Sequence, residues 1–84
     1  MKYALRIISK AQSDLDGMQG RDFESIKQKI LSLSGNPRPF GCKKLTVEEG
    51  YRIRAGRFRI LYRIDDSLKE VIIYRVKHRR DVYK

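Results

Sequence analysis

Between Gly50 and Tyr83 the chain alternates branched and aromatic residues with cations at a period of two, and eight arginines stand there against four acidic residues. Such alternation builds half-buried β-strands, because successive side chains of a strand point to opposite faces. The run Tyr51-Arg52-Ile53-Arg54-Ala55-Gly56-Arg57-Phe58-Arg59-Ile60 reads as a hairpin turning at Ala55-Gly56. That register sets Arg54 opposite Arg57, Arg52 opposite Arg59, Ile53 opposite Phe58 and Tyr51 opposite Ile60. One face is then apolar and the other carries four guanidiniums. Directly opposed like charges cost about a few tenths of a kcal/mol per pair or more, a penalty that a bound polyanion removes.

The alternation continues downstream. Phe58, Ile60, Tyr62 and Ile64 form the apolar set of the second hairpin strand, and Asp65-Asp66-Ser67 supplies a turn. From Glu70 to Lys77 a further strand is expected, with Ile72, Tyr74 and Val76 toward the core and Val71, Ile73, Arg75 and Lys77 on the other side. Arg63 and Arg75 are expected to pair with Asp65, Asp66 or Glu70 rather than to meet a ligand.

Upstream, Lys2 to Ile8 reads as a strand. Ser9 followed by Gln12 matches a capping box, opening a short helix that carries Ala11, Leu15 and Met18. From about Arg21 to Ser34, Phe23, Ile26, Ile30 and Leu33 fall on one stripe of a second, amphipathic helix, which Gly35 and Pro37 end. Residues 35–50 read as a loop with room for a short strand around Lys44 to Val47. The order β-α-α-β-β-β predicts an α+β fold over residues 1–84 as one domain: a small twisted, antiparallel-rich sheet, two N-terminal helices packed on one face, and a basic opposite face.

Twenty Lys and Arg against ten Asp and Glu give a net charge of +10, of which residues 50–84 hold +7. A charge so placed favours phosphate-rich partners by counterion release and steering. Cys42 is the only cysteine and His78 the only histidine, so neither a disulfide nor a Cys/His zinc site is expected, and a reducing, cytoplasmic setting fits. No apolar run approaches the roughly 20 residues of a membrane-spanning helix.

Four stretches in order, Lys43-Lys44-Leu45, Gly50-Tyr51-Arg52-Ile53-Arg54-Ala55-Gly56, Phe58-Arg59-Ile60-Leu61-Tyr62 and Val76-Lys77-His78-Arg79-Arg80-Asp81-Val82-Tyr83, give the chain a clear resemblance to the RelE family of bacterial and archaeal toxins. The resemblance implies a ribosome-dependent endoribonuclease that cuts messenger RNA in the A site of the 30S subunit, by attack of the ribose 2'-OH on the adjacent phosphate, with no metal and no cofactor. It carries functional roles onto Arg52, Arg54, Arg59, Arg79 and Tyr83; with the titratable His78 and the neighbouring cations added, the expected catalytic residues are Arg59, Arg79, Tyr83 and His78, and the expected RNA-binding residues are Arg52, Arg54, Arg57, Lys77 and Arg80. Guanidiniums suit the developing phosphorane charge because each is a permanent cation with a planar fork of donors. The best-known relative has lysines where Arg52 and Arg54 stand, and arginine does not exchange protons as lysine does. His78 is the substitute acid or base in this chain, having the one reference pKa near neutrality.

The resemblance further implies a cognate antitoxin with an acidic or amphipathic segment, encoded adjacently, with operator DNA contacted only through the toxin–antitoxin complex and no membrane partner. Two alternatives stand beside it: a ParE-like inhibitor of DNA gyrase, and a non-catalytic basic module that binds RNA or the ribosome.

Overall fold

A computed structural model describes residues 2–45 and 50–78. Strand β1 (Ala4–Ile7) leads into helices α1 (Ser9–Asp16) and α2 (Gly20–Gly35), followed by β2 (Lys43–Lys44), β3 (Tyr51–Ala55), β4 (Phe58–Asp65) and β5 (Glu70–His78). The strands form one mixed sheet in the order β1-β5-β4-β3-β2. β1 runs parallel to β5, and all other pairs are antiparallel. The expected α+β order is found, and the short strand anticipated around Lys44 to Val47 is β2 at Lys43–Lys44, on the hairpin edge, with residues 46–49 outside the described residues.

Both helices cover the same sheet face. Ala11 and Leu15 of α1 and Ile26, Ile30 and Leu33 of α2 bury against Ile53, Ala55, Ile60, Tyr62, Val71, Ile73 and Val76. In α2 the buried residues fall four and then three apart, the spacing of a single helical stripe. The expected capping box does not form. Ser9 lies inside α1 behind an extended Ile8, and Gln12 bonds the Asp16 carboxylate at 3.0 Å instead.

The hairpin turns one residue later than its sequence suggests. Ala55 pairs with Phe58, so the two-residue loop is Gly56-Arg57, with φ +61 at Gly56. Glycine at the first loop position is what a type II′ hairpin turn requires. Moving the turn by one residue moves every partner by two: Arg54 faces Arg59, Ile53 faces Ile60, Arg52 faces Leu61 and Tyr51 faces Tyr62. A shift of two preserves the pleat, so Arg52, Arg54 and Arg59 still share a face while Arg57 leaves it for the turn.

A second departure lies in β5. Leu61 pairs with Arg75 and Tyr62 with Ile73, which leaves Tyr74 as the extra residue of a bulge. The bulge changes the phase of the alternation. Val71 and Ile73 before it and Val76 after it are buried, whereas Ile72 and Tyr74, expected in the core, are only partly so.

The segment between α2 and β2 is fastened at several points. The buried Tyr62 hydroxyl donates to the Pro37 carbonyl at 2.8 Å, and Arg38 forks onto Asp66 and donates to the Tyr51 hydroxyl. Cys42 packs against the core. Among the described residues no helix is long and apolar enough to cross a membrane.

Candidate nucleic-acid interface

The sheet face opposite the helices carries two adjacent rows of cations across four strands. Lys43 of β2 pairs with Arg52, Arg54 of β3 pairs with Arg59, and Arg59 of β4 pairs with Lys77 of β5. Three like-charged pairs are therefore directly opposed, each costing about 0.2–1 kcal/mol relative to neutral neighbours. Leu61, beside Arg59 on this face and 8% exposed, gives the rows an apolar floor.

Gly41, Lys43, Arg52, Arg54 and Arg59 line a cavity of about 110 Å³. That space admits several waters, and so a single tetrahedral phosphoryl group. Its described lining contains four cations and no carboxylate. Arg59 is 5% exposed and is the buried charged residue among those described, with the Phe58 carbonyl at 3.5 Å as its hydrogen-bond acceptor. Burying a cation is costly unless an anion compensates it. The cavity is shaped and charged to receive one.

Arg52, Arg54, Arg59 and Lys77 are thus brought together. Arg57 is exposed at the hairpin tip, outside the rows. His78 pairs with Phe58, and their rings meet edge to face with centroids 5.4 Å apart. Because Phe58 packs against the core, that pairing puts His78 on the helix side of the sheet, away from Arg59. Arg79, Arg80 and Tyr83 lie outside the described residues.

Lys43, part of the Lys43-Lys44-Leu45 stretch that carries the resemblance but not expected as a site residue, joins the site through its pairing with Arg52. The pairings expected for Arg75 and Arg63 are replaced. Arg75 reaches Asp14 of α1 at 2.9 and 3.2 Å, and Arg63 lies over the Tyr74 ring at 5.4 Å. Glu70 and Asp66 pair with Arg6 and Arg38. Asp14 also accepts from the Val76 amide at 2.8 Å, closing the part of the β5 edge that β1 does not cover. Although burial pushes the Asp14 carboxyl upward, the bonds from Arg75 and Val76 hold it below its ordinary range.

Fold and site together define a small basic α+β protein with helices on one sheet face and a cation-lined cavity on the other. The profile described as ParE toxin of type II toxin-antitoxin system, parDE, matches residues 5–83. The chain is 36% identical to Toxin RelG of Mycobacterium tuberculosis, in an alignment covering 100% of this chain and 99% of RelG. It superposes with a TM-score of 0.81 and 33% identity on a chain of the toxin-antitoxin complex RelBE2 of the same organism, covering 93% of this chain and 99% of that one. The archaeal RelE-RelB complex from Pyrococcus horikoshii OT3 shares the fold, with a TM-score of 0.79 at 21% identity over 94% of this chain and 97% of that one. The chain belongs to the RelE/ParE family of type II toxin–antitoxin toxins.

Proposed function

We propose that this toxin is a metal-independent, ribosome-dependent endoribonuclease that cuts messenger RNA in the A site of the 30S subunit. The observation that carries the reading is the cavity in which Arg59 is buried among Lys43, Arg52 and Arg54. In-line cleavage by the ribose 2'-OH needs positioning, stabilisation of the phosphorane charge and two proton transfers. The 2'-oxygen forms a bond to phosphorus as the P–O5' bond breaks, giving a cyclic phosphate and a 5'-OH. Arg59, joined by Arg79 from the C-terminal segment, faces the equatorial oxygens, and Arg52, Arg54, Lys77 and Arg80 hold the flanking backbone.

Tyr83, the hydroxyl that the resemblance places in the catalytic set, takes the 2'-proton. The leaving 5'-oxygen is protonated by a group other than His78, whose place beside Phe58 separates it from the cavity. One domain spanning residues 1–84 carries the activity, in the cytoplasm where ribosomes work. An adjacently encoded antitoxin covers the basic face with an acidic or amphipathic segment, a reading supported by the capture of the mycobacterial relative in a toxin–antitoxin complex.

Expression of the toxin with ribosomes and a translated message tests this reading. Primer extension is expected to show cuts within translated codons, abolished in Arg59→Ala and Tyr83→Phe variants that remain folded. Cleavage unchanged in both variants defeats the assignment. Salt-sensitive ribosome binding without any cut product means a non-catalytic module.

A second reading is kept because the matching family profile is named for parDE. Under it the toxin inhibits DNA gyrase, and purified gyrase loses supercoiling activity while messenger RNA stays intact.

A further inference from the structure

Phe40 is fully exposed, at 105% of its reference area, well beyond Leu68 at 68%, Leu31 at 53% and Ile7 at 37%. A single exposed apolar residue is ordinary on a protein surface. This one sits at a constructed position. The Cys42 amide donates to the Pro39 carbonyl at 3.1 Å, and Gly41 has φ +96, so Pro39 to Cys42 form a tight turn with glycine where a type II turn requires a positive φ. Phe40 occupies the other central position. The turn cannot swing freely, because Tyr62 holds Pro37, Asp66 and Tyr51 hold Arg38, and Cys42 packs into the core.

The next residue, Gly41, is itself a wall of the cavity lined by Lys43, Arg52, Arg54 and Arg59. Consecutive Cα atoms are about 3.8 Å apart, so the exposed Phe40 side chain springs from the residue next to a cavity wall, within the span of a single nucleotide. A rigid exposed aromatic beside a phosphate-sized cationic hollow is the combination by which proteins hold single-stranded RNA, the charge gripping the backbone and the ring stacking a base.

We propose that Phe40 is the stacking platform for the nucleobase whose phosphate occupies the Gly41–Lys43–Arg52–Arg54–Arg59 cavity, and that it adds affinity without reading base edges. The inference rests on the reading of that cavity as an RNA phosphate site. It makes Lys43 and Phe40 contacts of the substrate strand at the β2 edge of the sheet.

Because the chain contains no tryptophan, Phe40→Trp installs a sole tryptophan at the platform, which is excited selectively beyond the tyrosine absorption band. Titration of that full-length variant with a short single-stranded oligoribonucleotide is expected to quench its emission, whereas an abasic ribose-phosphate oligomer of equal length binds without quenching. In parallel, anisotropy with labelled RNA is expected to show Phe40→Ala binding roughly 5- to 150-fold more weakly, with the slope of affinity on salt and the unfolding midpoint unchanged. RNA binding that leaves the tryptophan emission unaltered, with Phe40→Ala as tight as the parent, overturns the platform and leaves the cavity standing. RNA binding that is absent in the parent, or indifferent to Arg52→Ala and Arg59→Ala, overturns the cavity reading and the platform with it.

Discussion

Arg54 and Arg59 lie directly opposite each other across the β3–β4 ladder, and Arg59 is the more deeply buried of the two, with Lys77 on its other side. A buried guanidinium flanked by two cations is destabilising to the empty protein and useful to a polyanion complex. Replacing Arg59 with methionine keeps the unbranched stem and removes the charge. Arg59→Met is expected to raise stability by about 1 kcal/mol, a rise in thermal midpoint of ~4–8 °C for a domain of this size. Cleavage of messenger RNA by the same variant is expected to fall ~10²–10³-fold, the usual loss when a donor to developing charge is removed. Calorimetry and primer extension measure the two effects, and a variant both less stable and fully active contradicts the assignment.

Asp14 joins helix α1 to the open edge of β5 by accepting from both Arg75 and the Val76 amide. Asp14→Ala removes both acceptors and is expected to cost about 1–3 kcal/mol. Asp14→Asn, which keeps an acceptor for Val76, should cost less. Asp66 is similarly held, with its pKa lowered from 3.8 to about 2, by the bond from Arg38 first and from Tyr3 second. Both carboxyls bind protons less readily in the folded chain than in the unfolded one. Their contribution is therefore complete above the unfolded value of 3.8 and is lost as pH falls below it, for Asp66 through about 2. Unfolding free energy measured by denaturant titration is expected to fall across that interval in the parent and to fall less in Asp14→Asn and Asp66→Asn.

Most of this architecture is legible in residue order. The helical stripe of Ile26, Ile30 and Leu33 and the alternation of Phe58, Ile60, Tyr62 and Ile64 each have a single period, and each identifies its buried face. What escapes the sequence is register. Ala55-Gly56 and Gly56-Arg57 are both acceptable turns by composition, and only the ladder shows that Gly56 takes the first loop position. The bulge at Tyr74 is likewise silent, because an inserted residue changes the phase of β5 without altering its composition. The arginine face survives the first error, since a two-residue displacement conserves parity. Of the β5 residues expected in the core only Val76, beyond the bulge, keeps its place. Lys43 and the Asp14–Arg75 link depend on contacts between residues distant in sequence, which no local pattern carries.

The Tyr62 hydroxyl ties the sheet to the loop that carries Gly41. It donates to the Pro37 carbonyl at 2.8 Å, and burial pushes its pKa above the ordinary range, so it remains a neutral donor at physiological pH. Tyr62→Phe removes the bond while keeping the ring that stacks on Tyr51 at 5.9 Å. A stability loss of about 1–3 kcal/mol is expected from the buried carbonyl left behind. Amide exchange of Arg38 and of residues 40–42 should accelerate more than that of α1. Equal acceleration throughout indicates that the bond supports only global stability and not the loop.

Gly50 and Gly56 both have positive φ, at +129 and +61, yet they are not equivalent. A Cβ at Gly56 meets nothing within 4 Å, so Gly56→Ala carries only the backbone cost of a left-handed conformation, about 1–2 kcal/mol. At Gly50 the same atom falls 2.7 Å from the Tyr62 carbonyl oxygen and 3.3 Å from Arg63 Cγ. The first neighbour is backbone in the central strand β4 and cannot move aside without disturbing the β3 pairing at Tyr51–Tyr62. Gly50 also accepts the Leu45 amide at 2.9 Å, so displacing it loosens the connection that returns the chain to β2 and Lys43. Gly50→Ala is therefore expected to lower stability by more than Gly56→Ala, by about 3 kcal/mol or more, since strain and a steric clash combine. Its RNA affinity should also fall more than that of Gly56→Ala when both are compared under conditions where each is fully folded. Equal denaturation midpoints for the two variants mean that the β3–β4 ladder accommodates the methyl group and that Gly50 is not required for close approach.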